Sequence, residues 1–101
     1  MSFVEMRTYD LKIGTANAYA SLYREEGYAI QKSHLGEPVG YYVSEVGELN
    51  QIIHMWRYES LEQRAEKRTA LFADPDWLAY IGKIGPMIIR QRNAILYEVL
   101  S

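Results

Sequence analysis

The chain has 101 residues, of which 49% are hydrophobic and 24% are charged, and its formal net charge is −2. This balance predicts one folded globular domain over residues 1–101, and it excludes a disordered tail or a basic nucleic-acid-binding surface. Because the chain has no cysteine and only two histidines, we expect no disulfide and no metal site, and we predict no cofactor.

The N-terminal stretch MSFVEMRTYDLK alternates acidic and basic residues and lacks the apolar run of a signal peptide or leader. No stretch of the sequence approaches the roughly 20 apolar residues that a membrane-spanning helix needs. We therefore expect a cytoplasmic protein without a membrane span.

Four segments have the signals of β-strands. The first is Phe3 to Leu11, and the last is the alternating run from Ala94 to Leu100. The second and third flank Gly47 and Glu48 in PVGYYVSEVGELNQIIHMWRY, where Gly at the first central position suits a type II′ two-residue turn. These two strands are predicted to form a hairpin in which Tyr41 faces the middle of the third strand.

The segments between the strands have helical signals. We predict helices at about 15–32 and about 60–72, the second opening with an S-x-x-Q capping box at Ser60. Asp74–Pro75 has the N-cap and N1 residues of a restarted helix, and Gly85–Pro86 is expected to kink or end it.

The predicted order is strand, helix, strand, strand, helix, strand. This is the split βαβ pattern of an α+β, ferredoxin-like fold, βαββαβ, with a four-stranded antiparallel sheet and helices on one face. Since the first and third strands carry large apolar side chains on both faces, we expect a second copy to cover the other face, sheet to sheet. A half-exposed sheet is the alternative.

One histidine lies in the apolar run of the third strand. His54 shares a strand face with Asn50, Trp56 and Tyr58 by alternation, and the hairpin register places Tyr41 opposite it. A buried histidine that is simply hydrogen-bonded by Tyr41 is one interpretation. The other is a ligand pocket in which His54 acts as a general base or a hydrogen-bond donor.

Charged residues also fall on the core-facing stripes of both predicted helices. At 100° per residue, Glu26 falls within the stripe of the first helix and Arg68 within that of the second, with Arg64 on its margin. A buried charge needs a partner, so we predict a Glu26–Arg68 ion pair. The alternative is that the arginines hold an anionic ligand group, for which a guanidinium is well suited.

Three stretches carry a resemblance to a known family: EMRTYDLKIG, LGEPVGYYVSEVGELNQIIHMWRYESLEQRAEKR and DPDWLAYIGKIGPMI. Together they are similar to the NIPSNAP family over nearly the whole chain. The resemblance implies a dimeric α+β barrel of two ferredoxin-like subunits. Animal members are mitochondrial and usually have two such domains with a targeting leader, so a single domain is expected to represent a stand-alone, bacterial-type version.

The wider dimeric barrel superfamily includes cofactor-independent monooxygenases, haem-degrading enzymes and small isomerases, with sites between sheet and helices. One hypothesis is therefore a homodimer that binds a small aromatic or carbonyl-bearing ligand and has oxygenase- or isomerase-type activity. The other is a non-catalytic protein-interaction module with a structural polar interior. Under the first hypothesis the candidate catalytic residues are His54, Asn50 and Trp56, and the candidate ligand-binding residues are Tyr41, Tyr58, Glu26, Arg64 and Arg68.

Overall fold

The computed structural model describes residues 2–100 and has the predicted alternation of strands and helices. In chain order the elements are β1 (Phe3–Leu11), α1 (Ala16–Leu22), a π-helical segment (Tyr23–Gly27), α2 (Tyr28–Leu35), β2 (Gly40–Val43), β3 (Gln51–Tyr58), α3 (Leu61–Phe72), α4 (Pro75–Ile84), a 3₁₀ turn (Gly85–Met87) and β4 (Ile88–Leu96). The fold class is the predicted α+β, ferredoxin-like one.

The sheet is antiparallel, with strand order β2-β3-β1-β4. Along β1, the odd-numbered residues from Phe3 to Leu11 point toward the helices, where Phe3, Tyr9 and Leu11 are buried. The even-numbered residues lie on the opposite, open face, among them Val4 and Met6. One face of the sheet therefore builds the core with the helices, and the other does not.

The register of the hairpin is the predicted one, since Tyr41 pairs with His54 and Val43 with Ile52. The tight turn is wrong, however, because the ladder ends at Val43 and resumes only at Gln51. Asn50 has a left-handed backbone with φ of 59°, and its carbonyl accepts a hydrogen bond from the Leu11 N–H at 2.7 Å. This bond ties the start of β3 to β1. Ser44 still donates its N–H to the Gln51 carbonyl at 3.0 Å, and residues 45–50 form a wider loop between the two strands.

The last strand was placed too late in the sequence. It begins at Ile88 and ends at Leu96, six residues before the predicted start and four before the predicted end. The first six of its nine residues, IIRQRN, do not alternate cleanly, and a register shift occurs here, opposite Asp10 and Leu11. Hydrogen bonds from Arg92 to the carboxylate of Asp10, the shortest at 2.6 Å, accompany this part of the strand.

The helix boundaries follow the predicted signals, with small shifts. Ser60 accepts a hydrogen bond from the Gln63 N–H at 3.1 Å, and Asp74 accepts one from the Asp76 N–H at 2.9 Å, so both predicted N-caps are present. The first helical stretch runs on to Leu35 and ends at Gly36, whose φ is 83°. None of the helices in residues 2–100 is long and apolar enough to cross a membrane.

An aromatic core lies between the sheet and the helices. Its most deeply buried large side chains include Trp56 and Tyr58 from β3, Tyr19 from α1 and Tyr80 from α4. Five tyrosines carry hydroxyl groups into this layer, so the interior is polar as well as aromatic: Tyr9, Tyr19, Tyr23, Tyr58 and Tyr80.

Candidate functional site

A cavity of about 300 Å³ lies between the sheet and the helices. Each of the four strands and each of the four helices contributes to its lining. The polar lining residues are Arg7, Tyr9, Tyr19, Gln31, Tyr41, His54, Arg68 and Gln91. The others, mainly apolar, are Phe72, Trp77, Ile81, Ile84, Gly85 and Ile88.

His54 is almost completely buried in this lining, with 1% of its surface exposed. Its ring stacks on Tyr41 with centroids 4.6 Å apart and forms a T-shaped contact with Tyr9 at a centroid distance of 4.9 Å. Its Nδ1 atom accepts a hydrogen bond from the indole N–H of Trp56 at 2.6 Å. Because an indole nitrogen can only donate, the neutral imidazole carries its proton on Nε2.

The Nε2 atom of His54 is buried and has no hydrogen-bond partner among residues 2–100. Burial lowers the pKa of His54 to about 3, and the positive charge of Arg7 acts in the same direction. The ring is therefore neutral at physiological pH and presents an unused N–H. The buried indole N–H of Trp77, also in the cavity lining, likewise lacks a partner in the described chain.

Arg68 is the charged residue of the lining that has no counter-ion. Neither a salt bridge nor a hydrogen bond joins its guanidinium to another side chain in residues 2–100, and the group lies over the ring of Phe72 at 5.3 Å. Burial and the nearby charge of Arg7 lower the pKa of Arg68. An arginine nevertheless stays protonated at neutral pH, so this charge persists in the cavity wall.

A buried carboxylate lies beside the cavity and organises the other two arginines. Glu5 is fully buried and accepts two hydrogen bonds from Arg64, at 3.1 and 2.8 Å, one from Asn93 at 2.8 Å and one from Arg7 at 3.3 Å. Burial would raise the pKa of the Glu5 carboxyl, but these hydrogen bonds and the two positive charges outweigh it and lower the pKa. Glu5 is therefore ionised and satisfied.

The predicted Glu26–Arg68 ion pair is wrong. Glu26 pairs instead with Lys83 at 2.6 Å, where both side chains are partly exposed. The reason is local, because Glu26 lies in the π-helical segment Tyr23–Gly27. A π-turn holds more than 3.6 residues, so counting at 100° per residue does not give the direction of side chains there.

The other predicted site residues do not all line one cavity. Tyr41 lines the cavity, as Arg68 and His54 do, while Trp56 lies behind His54 and fixes its ring. Arg64 is bound to Glu5. Asn50 does not share the strand face of His54 as predicted, because it lies outside β3 and does not line the cavity.

Tyr58 is on the expected face of β3 but is packed against Phe3, with ring centroids 5.8 Å apart. It does not line the cavity.

Sequence reasoning missed Arg7 and Trp77 as lining residues and Glu5 as the buried carboxylate. The available signal for Arg7 and Glu5 was their alternation with Phe3 on β1, which puts both charges on a core-facing strand face.

The chemistry of the lining is that of hydrogen-bond donation. The described residues place no carboxylate in the cavity lining, and burial raises the pKa of Tyr19 and Tyr41 above the ordinary tyrosine value, so both keep their phenolic protons. Within residues 2–100, no group of three or more His, Cys, Asp or Glu side chains is placed to hold a metal ion. The site can polarise an oxygen atom of a ligand through N–H groups and a guanidinium.

A second cavity, of about 320 Å³, lies along β2 on the far side of Tyr41. Its lining includes Arg24, Tyr28, Tyr42 and Val43, and it is mostly apolar. The two buried nitrogen atoms that lack a hydrogen-bond partner among residues 2–100, in His54 and Trp77, do not line this second cavity. The cavity beside His54 is therefore the stronger candidate site.

The fold and the cavity define the class of this molecule as a ferredoxin-like α+β protein with a polar pocket between sheet and helices. The sequence profile of the NIPSNAP family matches residues 4–100. The chain belongs to the NIPSNAP family.

Curated relatives and solved structures agree with this assignment. The chain is 38% identical to the NipSnap homolog of Dictyostelium discoideum over 79 residues, which are 78% of this chain and 34% of that protein. It is 32% identical to NipSnap of Drosophila melanogaster over 93 residues, which are 91% of this chain and 33% of that protein. The chain thus spans about a third of the length of these curated relatives.

Two bacterial structures match nearly the whole chain. Protein Atu4242 of Agrobacterium tumefaciens is 48% identical, with a TM-score of 0.95 over 97% of this chain and 94% of that one. A NIPSNAP-like domain protein of Burkholderia xenovorans is 42% identical, with a TM-score of 0.95 over 98% of this chain and 86% of that one. A candidate antibiotic biosynthesis monooxygenase of Nitrosomonas europaea, 12% identical with a TM-score of 0.65 over 98% and 91% of the two chains, shares the fold alone.

Proposed function

We propose that this NIPSNAP protein is a homodimeric small-molecule-binding protein whose ligand occupies the cavity beside His54. The observation that carries the proposal is the buried, partnerless Nε2–H of His54 in the lining of a cavity of about 300 Å³. A buried polar group without a partner costs about 1–3 kcal/mol. A ligand oxygen that accepts this hydrogen bond removes that cost.

The donor arrangement favours a carbonyl-bearing ligand with an aromatic or other flat body. Phe72 and Trp77 supply flat apolar surface, and Arg68 and His54 supply donors for an oxygen. If the protein is an enzyme, these donors would stabilise an enolate or another oxyanion of the substrate, which suits a cofactor-independent oxygenase or an isomerase. His54 would then act as a hydrogen-bond donor, since its Nδ1 atom is already occupied by Trp56.

The alternative is a non-catalytic interaction module with a structural polar interior. Such an interior would be solid, and its polar groups would satisfy one another. Two buried nitrogen atoms of the lining, in His54 and Trp77, have no partner among the described residues, and this observation favours the ligand-binding function.

The homodimer rests on the open face of the sheet. This face carries Met6 and Met55, a cross-strand pair whose side chains are partly exposed and point away from the helices. Charges near its ends are paired within the subunit, Asp10 with Arg92 and Arg57 with Glu98. An apolar sheet face with satisfied charges is suited to packing against the same face of a second copy.

A thermal-shift screen of aromatic carbonyl compounds, such as quinones and aryl ketones, tests the ligand-binding function. We expect at least one compound to raise the melting temperature of the wild-type protein and to bind in a calorimetric titration. His54→Ala should weaken this binding strongly, because the donor is lost. Each variant is compared with its own ligand-free melting temperature, so that a general loss of stability is not mistaken for a loss of binding.

The control variant is His34→Ala. His34 does not line the cavity, and its Nε2 atom is hydrogen-bonded to the carboxylate of Asp74 at 2.8 Å. This variant should therefore bind the compound as the wild-type protein does. The absence of any shift across the panel, or an equal affinity in His54→Ala, would contradict the proposed function.

A further inference from the structure

The charges around the cavity do not balance. Two guanidinium groups, those of Arg7 and Arg64, contact the buried carboxylate of Glu5, and a third, that of Arg68, lines the cavity. Arg64 binds Glu5 with two hydrogen bonds, and Arg7 adds a third at 3.3 Å. The carboxylate is thus already satisfied, and the charge of Arg68 has no counterpart among residues 2–100.

The two arginines of the lining, Arg7 and Arg68, are also close enough to act on one another. Arg7 and His54 are direct cross-strand neighbours on the helix-facing side of the sheet. The charge of Arg7 lowers the pKa of Arg68, and both arginines lower the pKa of His54. A negative charge placed between them would relieve this repulsion and would receive charge-assisted hydrogen bonds.

The opposite part of the lining has a different character. It is formed by the rings of Phe72 and Trp77 and by the aliphatic side chains of Ile81, Ile84 and Ile88. A ligand that fills the cavity therefore has an apolar, flat body and one charged end. With about 300 Å³ available, at the lower limit of ligand pockets, the body is no larger than a ring or two.

We propose that the ligand of this cavity is a small aromatic carboxylate, or an equivalent planar monoanion, whose charged head binds Arg68 and the Nε2–H of His54. This inference rests on the proposed ligand-binding function and adds the charge of the ligand. A carboxylate has two oxygen atoms in one plane, so one can accept from the guanidinium and the other from the imidazole. The apolar part of the lining disfavours a dianion, which would need more donors.

The test compares carboxylates with their neutral amides, which have nearly the same shape. Benzoate with benzamide, and phenylacetate with phenylacetamide, are titrated calorimetrically into the wild-type protein at pH 7. We expect at least one carboxylate to bind about tenfold or more tightly than its amide, as a hydrogen-bonded charge pair with the half-buried Arg68 should give. The affinity for that carboxylate should fall about tenfold or more in Arg68→Gln, while the affinity for its amide should change little.

Arg24→Gln is the matched control. It removes the same charge, but Arg24 is exposed and lines only the second cavity along β2. Carboxylate affinity should be unchanged in this variant. A loss in Arg24→Gln that is absent in Arg68→Gln would place the anion along β2 and overturn the inference.

The failure of this inference is distinguishable from that of the proposed function. If neutral carbonyl compounds bind in a His54-dependent way but no carboxylate binds better than its amide, the ligand is not an anion and only this inference is wrong. If neither the neutral compounds nor the carboxylates bind, the proposed function is wrong and the inference falls with it.

Discussion

A single hydrogen bond decides what His54 can do. The indole of Trp56 can only donate, so the Nδ1 atom of His54 must accept and the Nε2 atom must carry the proton. Sequence reasoning left a general base and a hydrogen-bond donor as equal options for this residue. The geometry favours the donor, because a neutral imidazole in this tautomer has no free lone pair directed at the cavity.

The buried neutral state of His54 predicts a pH dependence of stability. Its pKa is about 3 in the folded protein against an ordinary value of 6.5. Between these values the unfolded chain binds a proton that the folded protein does not bind. The free energy of unfolding should therefore fall as the pH is lowered from 6.5 toward 3, by up to about 1.4 kcal/mol per pH unit from this group alone.

Urea unfolding of the wild-type protein and of His54→Gln across this pH range measures the effect. The difference in free energy of unfolding, wild type minus variant, should rise with pH between 3 and 6.5 and be level above 6.5. A difference that is level throughout would mean that His54 titrates normally in the folded protein, contrary to its burial.

At this scale the sequence predicted part of the site. Alternation and hairpin register correctly placed Tyr41 and Trp56 around His54, because both depend only on local geometry. The hydrogen-bond partner of the Glu5 carboxylate was not predictable in the same way. The main partner, Arg64, lies 59 residues further along the chain and meets Glu5 only after α3 packs on the sheet.

At the scale of elements, the π-helical segment Tyr23–Gly27 has the largest local effect. It changes the direction of the helix faces on either side, and it places Gly27 directly against the ring of Tyr80. A Cβ atom at Gly27 would lie 2.5 Å from a ring carbon of Tyr80 and 2.9 Å from a ring carbon of Tyr23. Tyr80 is only 1% exposed, so its ring has little room to move away.

Gly27→Ala should therefore destabilise the protein, although alanine is the better helix former. We expect a loss of about 1–3 kcal/mol from overpacking, measured by urea unfolding. Gly82→Ala is the matched control within α4, since a Cβ atom there meets nothing within 4 Å. That substitution should leave stability unchanged or raise it by up to about 1 kcal/mol. Equal effects of the two substitutions would show that the contact with Tyr80 is not a constraint.

Most elements were predictable because their signals are local. The capping residues Ser60 and Asp74 and the alternation of β1 gave the boundaries of α3, α4 and the first strand. The predicted bounds of β4 were too late in the sequence, because the strand begins with a largely polar stretch that contains the register shift against β1 and does not alternate. The Glu26–Arg68 pair failed for a related reason, since regular helix periodicity was applied across a π-turn.

At the scale of the whole molecule, the open sheet face predicts the oligomeric state. Met55 lies near the centre of this face and pairs across the ladder with Met6. Met55→Glu would place a charge in the proposed interface, where it would be buried without a partner. We expect a shift from dimer to monomer in sedimentation velocity at micromolar concentration.

The control is Leu78→Glu, which introduces the same charge at a half-exposed position of α4, on the other side of the molecule. This variant should sediment as the wild-type protein does. A wild-type protein that is monomeric at all concentrations, or a Met55→Glu variant that remains dimeric, would contradict the sheet-to-sheet dimer.

The composition of the cavity wall has an evolutionary consequence. All four strands and all four helices contribute lining residues, so what the cavity accepts is determined by side chains spread over the whole fold. A substitution in any element can therefore alter ligand preference while the sheet, the caps and the Glu5 hydrogen bonds still maintain the architecture. Proteins with this fold can diverge in specificity by small steps spread over the whole chain, and relatives that superimpose closely need not share a ligand.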